Sequence, residues 1–260
     1  MNYFVEGLQG SGKSTLVGAL EKKYPELHAV REGEYSPVEL AWCAYMDETS
    51  YQNVLSKYPS LSDAIKEKTV SEGEKRIVMY TKIPTEDRSF YQDLEQYEIY
   101  NNRISFEEFK AIIMTRYQNW NTDKNIFECS LFQNIVEDLM LFRNLTDEEI
   151  ISFYKDIRDV LEEKEYRILY LKAGDVEGNL QVIRKERSDD NGVELWFPLM
   201  MQFFDNCPYS KANGKSGEKD LIEHFIHRQE LELKICEELF AEKTTILSSK
   251  QYTDDQFCVV

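Results

Sequence analysis

Gly7-Leu8-Gln9-Gly10-Ser11-Gly12-Lys13-Ser14 decides how the rest of the chain is read. The octet fits G-x-x-x-x-G-K-[ST], and the chemistry accounts for each residue type. Glycines let the backbone bend so that successive N–H groups face inward around phosphate oxygens. The N-terminus of a following helix adds its dipole. Lys13 is placed to reach β- and γ-phosphates, and the Ser14 hydroxyl to ligate Mg²⁺. The nucleotide-holding set expected here is Gly7, Gly10, Ser11, Gly12, Lys13, Ser14 and Thr15. The flanks fit: Asn2–Glu6 is an apolar run that reads as a buried strand, and Ser14–Lys23 has helical spacing with a basic last turn. Three of the 11 glycines fall in this loop, where geometry demands them.

Outward from the loop, strand and helix signals alternate. Leu27–Glu32 reads as a second strand. Ser36-Pro37-Val38-Glu39 reads as a capped helix start, the helix carrying Leu40, Trp42, Cys43 and Tyr45. Thr49–Arg103 has little pattern, and Arg76–Lys82 within it fits a strand or a short helix. Ser105–Trp120 opens with a capping box, and Lys124–Glu128 is a third strand. Leu131–Phe142 is helical, Thr146 caps a helix to about Lys164, and Tyr166–Lys172 is a fourth strand. Asp175 caps the next helix, Glu218–Glu242 is a long helix, and Lys243–Ser248 is a fifth strand. Five strands alternating with helices predict an α/β fold with a parallel sheet. With no repeat, linker or low-complexity segment, 1–260 reads as a single domain.

Composition narrows the function classes. The 260 residues hold 31 Lys+Arg and 48 Asp+Glu, a formal charge of −17. Such acidity opposes non-specific nucleic-acid binding, and 42% apolar residues exclude disorder. No run of 18 apolar residues exists to span a membrane, and polar residues interrupt the N-terminus before a secretory signal could form. Cys43, Cys129, Cys207, Cys236 and Cys258 are odd in number with no C-x-x-C spacing. They read as reduced thiols of a cytoplasmic protein rather than a disulfide frame or zinc site.

Other residues bear on the class of chemistry. A GTPase switch protein needs N-K-x-D, which is absent, and Asp175-Val-Glu-Gly178 is better explained as a helix cap. A small-molecule kinase needs a phosphate loop, a carboxylate near the acceptor and arginines over the moving phosphoryl group. Glu32, ending the second strand, and Glu34, two residues further on, are both candidate bases. Glu128, ending the third strand, is a candidate for Mg²⁺ or the acceptor. Arg184 and Arg187, with Lys185 between them, form a basic helix face suited to phosphates, against which stands a reading as surface ion pairs. His224 and His227 read as a helix-surface pair. Thr146, in the Asn144-Leu145-Thr146 sequon, reads as a cap. Tyr35, Trp42, Tyr45 and Phe132 suit either a flat acceptor ring or the core. Trp196–Phe204 suits a cover over the site, a homodimer contact, or core.

Taken in order, these motifs resemble a known group. Phe4–Leu16, with Glu6 before the first glycine, resembles the loop of deoxynucleoside kinases. Arg31-Glu32-Gly33 looks like the second-strand motif of thymidylate kinases. Glu34–Trp42, with Pro37-Val38, is similar to the Glu-Pro-Val…Trp stretch of deoxynucleoside kinases, and Phe127-Glu128-Cys129-Ser130 resembles their Glu-Arg-Ser motif. Tyr170–Lys172 followed by Arg184 and Arg187 resembles their fourth strand and arginine lid. Lys250–Thr253, with Lys250 and Tyr252, falls where they wrap adenine. The resemblance implies a P-loop NTPase fold with strand order 2-3-1-4-5, a helical lid, ATP with Mg²⁺ as donor, a small-molecule acceptor of nucleoside or nucleotide size, and Glu32 as the acceptor-side base. Cys129 departs from the pattern by standing where the group has arginine, with Arg103, Arg116 and Lys172 as candidate replacements. Residues 49–103 and 193–215 depart in length and read as substrate-side insertions. A nucleotide-binding regulatory ATPase or sensor without a small acceptor is the alternative reading.

Overall fold

The apolar N-terminal run lies at the centre of a sheet. In the computed structural model, which describes residues 1–253, eight strands follow in chain order: β1 (Asn2–Gly7), β2 (His28–Val30), β3 (Ala44–Asp47), β4 (Thr69–Glu72), β5 (Lys75–Val78), β6 (Asn125–Glu128), β7 (Tyr166–Lys172) and β8 (Thr244–Ser248). The helices are α1 (Lys13–Lys23), α2 (Glu48–Lys57), α3 (Ser62–Glu67), α4 (Arg88–Glu95), α5 (Phe106–Asn119), α6 (Gln133–Leu141), α7 (Asp147–Val160), α8 (Val176–Glu186), α9 (Trp196–Asn206), α10 (Pro208–Asn213) and α11 (Gly217–Leu239). Cys258 lies outside the described residues; the other four cysteines are free and buried. The chain divides into two compact units, Met1–Ala29 with Thr122–Val260, and Val30–Asn121.

The first unit is built on a five-stranded sheet in the order β2-β6-β1-β7-β8. Counted among the strands of this sheet alone, that is the expected 2-3-1-4-5. The pairings of β1 with β6 and β7, and of β7 with β8, are parallel. Phe4 pairs with Phe127, their rings stacked 5.2 Å apart, and Gly7 pairs with Leu171. All six residues of β1 are buried, as a strand covered on both faces requires. Leu16, Val17 and Leu20 of α1 pack on one face with Val5, Ile126 and Leu169. Phe197 and Phe204 of α9 join a second cluster with Leu180, Ile183, Leu221 and Phe225. Much of the Trp196–Phe204 run is therefore core, although Leu199 stays 65% exposed. No described helix is long and apolar enough to cross a membrane.

Local signals placed several helix starts correctly. Thr146 and Glu149 form a reciprocal capping box on α7, and Asp175 caps α8 by accepting from the Gly178 N–H at 2.9 Å. The same device opens α5 in the second unit, where Ser105 pairs with Glu108.

The second unit holds a sheet that the sequence left unread, in the order β3-β5-β4 with antiparallel pairing. Glu72 pairs with Lys75 across a two-residue turn in which Gly73 has φ +54°. The Arg76–Lys82 stretch is both of its alternatives: β5, then a single 3₁₀ turn at Tyr80–Lys82.

The helix expected from Ser36 does not form. The Ser36 hydroxyl accepts from Val38 at 3.3 Å, and Glu39 turns inward to accept from the Ala41 N–H at 2.6 Å and the Tyr100 hydroxyl at 2.7 Å. Val38 to Ala41, Cys43 and Ala44 are all buried, so no single stripe faces the core. Trp42 stands at φ +63°, which ends any helical run, and β3 follows.

Two buried carboxyl groups of this unit give it an unusual pH response. Burial pushes Glu39 up to about 8, against the Tyr100 and Ala41 hydrogen bonds. Burial likewise pushes Glu98, which accepts from the Tyr80 hydroxyl at 2.5 Å, up to about 7. Both lie above the value of 4.5 for an exposed glutamate, so the native state holds protons that the unfolded chain releases. Their contribution to stability is complete below that ordinary value and is lost as pH rises through 7 to 8. The urea midpoint is expected to fall between about pH 5 and pH 8.5, and Glu39→Gln to flatten the slope. A midpoint that climbs over this interval contradicts the assignment.

Candidate functional site

β1 ends at Gly7, and the chain turns through Leu8–Gly12 into α1. Gly7, Gly10 and Gly12 have φ of +134°, +75° and +95°. At Gly7 a Cβ would sit 2.6 Å from the Leu171 carbonyl oxygen, so both conformation and space require glycine. Leu8 anchors the loop in the apolar core, and Ser11 N–H closes on the Leu8 carbonyl at 3.2 Å.

Lys13 is buried, and its ammonium donates to the Gly7 and Leu8 carbonyls and to Gln133 Oε1, each at 2.8 Å. Ser14 Oγ donates to Glu128 Oε1 at 2.5 Å, joining the first turn of α1 to the end of β6. The Ser11 hydroxyl is buried in the loop without a hydrogen-bond partner. Ser249 Oγ donates to the Ser11 carbonyl at 2.8 Å. Lys250 follows at φ +59°, its Cγ within 3.6 Å of a Cβ built on Gly12 and its ammonium 3.7 Å from Glu186. Tyr252 is half-buried beside the α1 cluster, and Thr15 is exposed on the first turn of α1. Lys13, Ser14, Glu128 and Lys250 thus come together from three separate segments of this unit: the start of α1, the end of β6 and the stretch after β8.

Two residues of this unit carry structure that local patterns do not reveal. Glu6 is fully buried, and its carboxylate accepts from the N–H groups of Leu131 (2.7 Å), Phe132 (3.2 Å) and Gln133 (3.4 Å). Burial pushes it up to about 7, opposed by the Leu131 N–H and by Lys13, with Glu232 adding to the rise. This cap starts α6 at Gln133 and sets the residue that meets Lys13. Cys129, directly after Glu128, is buried at φ +60°, an uncommon conformation for a side chain larger than glycine. Of the candidate stand-ins for an arginine there, Lys172 is exposed at the end of β7.

The arginine pair sits at the end of α8, the helix whose Asn179 donates to the Gln9 carbonyl at 2.7 Å and whose Ile183 crowds Gly10. Arg184 is held by Glu194 at 2.8 Å and Glu218 at 2.6 Å and lies 4.0 Å above the Phe197 ring. Arg187 lies 5.2 Å from the Trp196 ring centre. The ion-pair reading is therefore the observed state of Arg184, with Glu194 and Glu218 as partners. His224, expected on the surface, is buried 3.5 Å from Glu137, while His227 meets Asp147 at 3.0 Å. No cluster of three or more metal-ligating side chains occurs among the described residues.

In the second unit, Glu32 lies two residues beyond β2 rather than ending it. Its carboxylate accepts from the Trp42 indole N–H at 3.0 Å. Trp42 itself is 46% exposed. Glu34 folds back onto the Arg31 N–H at 2.9 Å. Gly33, at φ +80°, is flanked by Thr81 and Lys82. Arg103 pairs with Glu95 at 2.5 Å; Arg116 pairs with Glu72 at 2.5 Å and donates to the Ser36 carbonyl. Tyr35 donates to the same Glu72.

A five-stranded parallel sheet in this order, with a glycine-rich loop leading from its first strand into its first helix, defines the P-loop NTPase fold. No family model and no curated protein matches the chain. Among solved structures it is similar to that of deoxyadenosine kinase from M. mycoides with bound dATP, at 12% identity over 98% of this chain and 95% of that chain, with a TM-score of 0.41.

Glu6→Ala would strand three buried N–H donors and is expected to lower stability by about 3 kcal/mol. Glu6→Gln, which keeps one accepting oxygen, should cost clearly less. Urea denaturation at pH 6 of both variants checks the order.

Proposed function

We propose that this chain is a phosphotransferase that moves the γ-phosphoryl group of Mg-ATP to a small hydroxyl-bearing acceptor of nucleoside or nucleotide size. The observation that carries this reading is the Ser14–Glu128 contact beside Lys13, on a loop with three glycines at positive φ. The residues fit the groups they would hold. The unpartnered Ser11 hydroxyl and the inward ammonium of Lys13 suit phosphate. A hydroxyl and a carboxylate 2.5 Å apart are hard oxygen donors of the kind Mg²⁺ takes, with phosphate and water completing its shell. When bound, the metal neutralises phosphate charge.

The roles we assign are these. The loop from Gly7 to Thr15 holds the β- and γ-phosphates, with Lys13 as its cation. Lys250 and Tyr252 flank the adenine. Arg184 and Arg187 stabilise the transferring group after exchanging their present partners for phosphate, as a lid formed by the end of α8. Glu32 takes the acceptor proton, a role carried by its position after β2 and its contact with Trp42. Residues 49–103 and 193–215 supply acceptor-side elements, and the exposed Leu195 and Leu199 are the surface for a second copy of the chain.

Lys13→Ala is expected to lower ATP turnover by about a hundredfold or more while the circular dichroism spectrum is kept. Normal turnover by that folded variant contradicts the reading. A panel of nucleosides, nucleotides and sugars, scored by ADP release, tests the acceptor. If none stimulates release, the protein is a nucleotide sensor instead. With an acceptor in hand, Glu32→Gln should lose transfer about a hundredfold and keep ATP binding; full transfer would assign the base elsewhere.

A further inference from the structure

Beneath the phosphate loop lies a polar layer that the proposed reaction does not use. Arg228 of α11 has no exposed surface. Its Nη1 donates to Glu137 of α6, and its Nε lies 3.0 Å from Glu232 one turn further along α11. Its Nη2 donates to the side-chain oxygen of Gln9 in the phosphate loop at 3.0 Å. Glu232 in turn accepts from the Tyr170 hydroxyl of β7 at 2.7 Å. Burial alone would raise Glu137, but Arg228 and His224 outweigh it and hold the carboxyl down to about 2. One guanidinium therefore joins α6, α11 and the loop.

A buried ion pair is poor evidence for a gain in stability, because desolvation cancels much of the attraction. The third contact, the hydrogen bond to Gln9, is the informative one. The loop bends at Gly7, Gly10 and Gly12, residues with little conformational preference of their own. Gln9 is tied at both ends, its carbonyl to Asn179 of α8 and its side chain to Arg228. Arg228 also fixes α6 through Glu137, and α6 carries Gln133 to Lys13. A planar fork with five donors can serve these partners together, whereas a lysine presents one point charge.

We infer that Arg228 is a positioning residue for the nucleotide: it sets the direction of the loop amides through Gln9 and the seat of Lys13 through α6. This rests on the nucleotide reading above. Mg-ATP affinity, measured by calorimetry on the full chain alongside thermal unfolding, tests it. Gln9→Met removes the acceptor from the half-buried Gln9 and leaves the ion pairs in place. It is expected to weaken Mg-ATP binding about tenfold with the unfolding midpoint unchanged. Arg228→Met should weaken binding at least as much, and the double variant should bind no more weakly than Arg228→Met alone. Unchanged affinity in Gln9→Met, or losses that multiply in the double variant, overturns the inference while leaving the proposed function standing. If Arg228→Met does not fold, Gln9→Met decides alone. A folded parent protein that fails to bind Mg-ATP overturns both.

Discussion

A carboxylate cut off from water at the end of the central strand is the constraint on which the first unit depends. Glu6 is fully buried, and the three N–H groups it accepts from, those of Leu131, Phe132 and Gln133, lie where the chain enters α6. An uncapped helix N-terminus in the core would leave those donors orphaned. Glu6 therefore dictates where α6 begins and so which residue faces Lys13. The phosphate loop is then bounded on one side by a strand and on the other by a helix whose register the strand itself sets. The electrostatics follow: Lys13 and Arg228 are the cations of this layer, and Glu6, Glu137 and Glu232 are the acids that make their burial tolerable.

The formal charge of −17 takes on a different meaning in this light. Acid in this protein is of two kinds. Most of it, among the described residues, is not buried, and its interactions with neighbouring lysines are weak. A smaller set is buried and structural, each member tied to particular donors: Glu6 to backbone, Glu137 to Arg228, Glu39 to Tyr100, Glu98 to Tyr80. The second kind is invisible to a count of charges. It gives each unit its own ionisable core.

What was legible in the sequence was whatever is decided locally. The loop is a contiguous motif between a strand and a helix. Thr146 with Glu149, Ser105 with Glu108, and Asp175 are caps whose partners lie three residues away. The parallel sheet followed from alternation, and its strand order from the resemblance. Where partners lie far apart in the chain, the reading stopped. Nothing near Glu6 announces Leu131, and nothing near Arg228 announces Gln9. The stretch from Ser36 failed for the opposite reason: its local cap signal is genuine, but Glu39 finds Tyr100, 61 residues on, and burial on every side overrides it. The three strands of the second unit are four residues each, too short for periodicity to separate from turns. The basic face of Arg184 and Arg187, read either as a phosphate site or as surface ion pairs, met a similar limit, since Glu194 and Glu218 reach Arg184 only in three dimensions.

The phosphate loop is a contiguous motif, yet it is completed by residues far from it in the chain. Its ties run from Glu6 to Leu131 across 125 residues, from Gln9 to Arg228 across 219, and from Ser11 to Ser249 across 238. The motif is contiguous in sequence yet does not take its full shape until α11 and the segment after β8 have folded against it. Contacts of such separation close late and slowly. The shape of the loop is in this sense a report that its distant partners have folded.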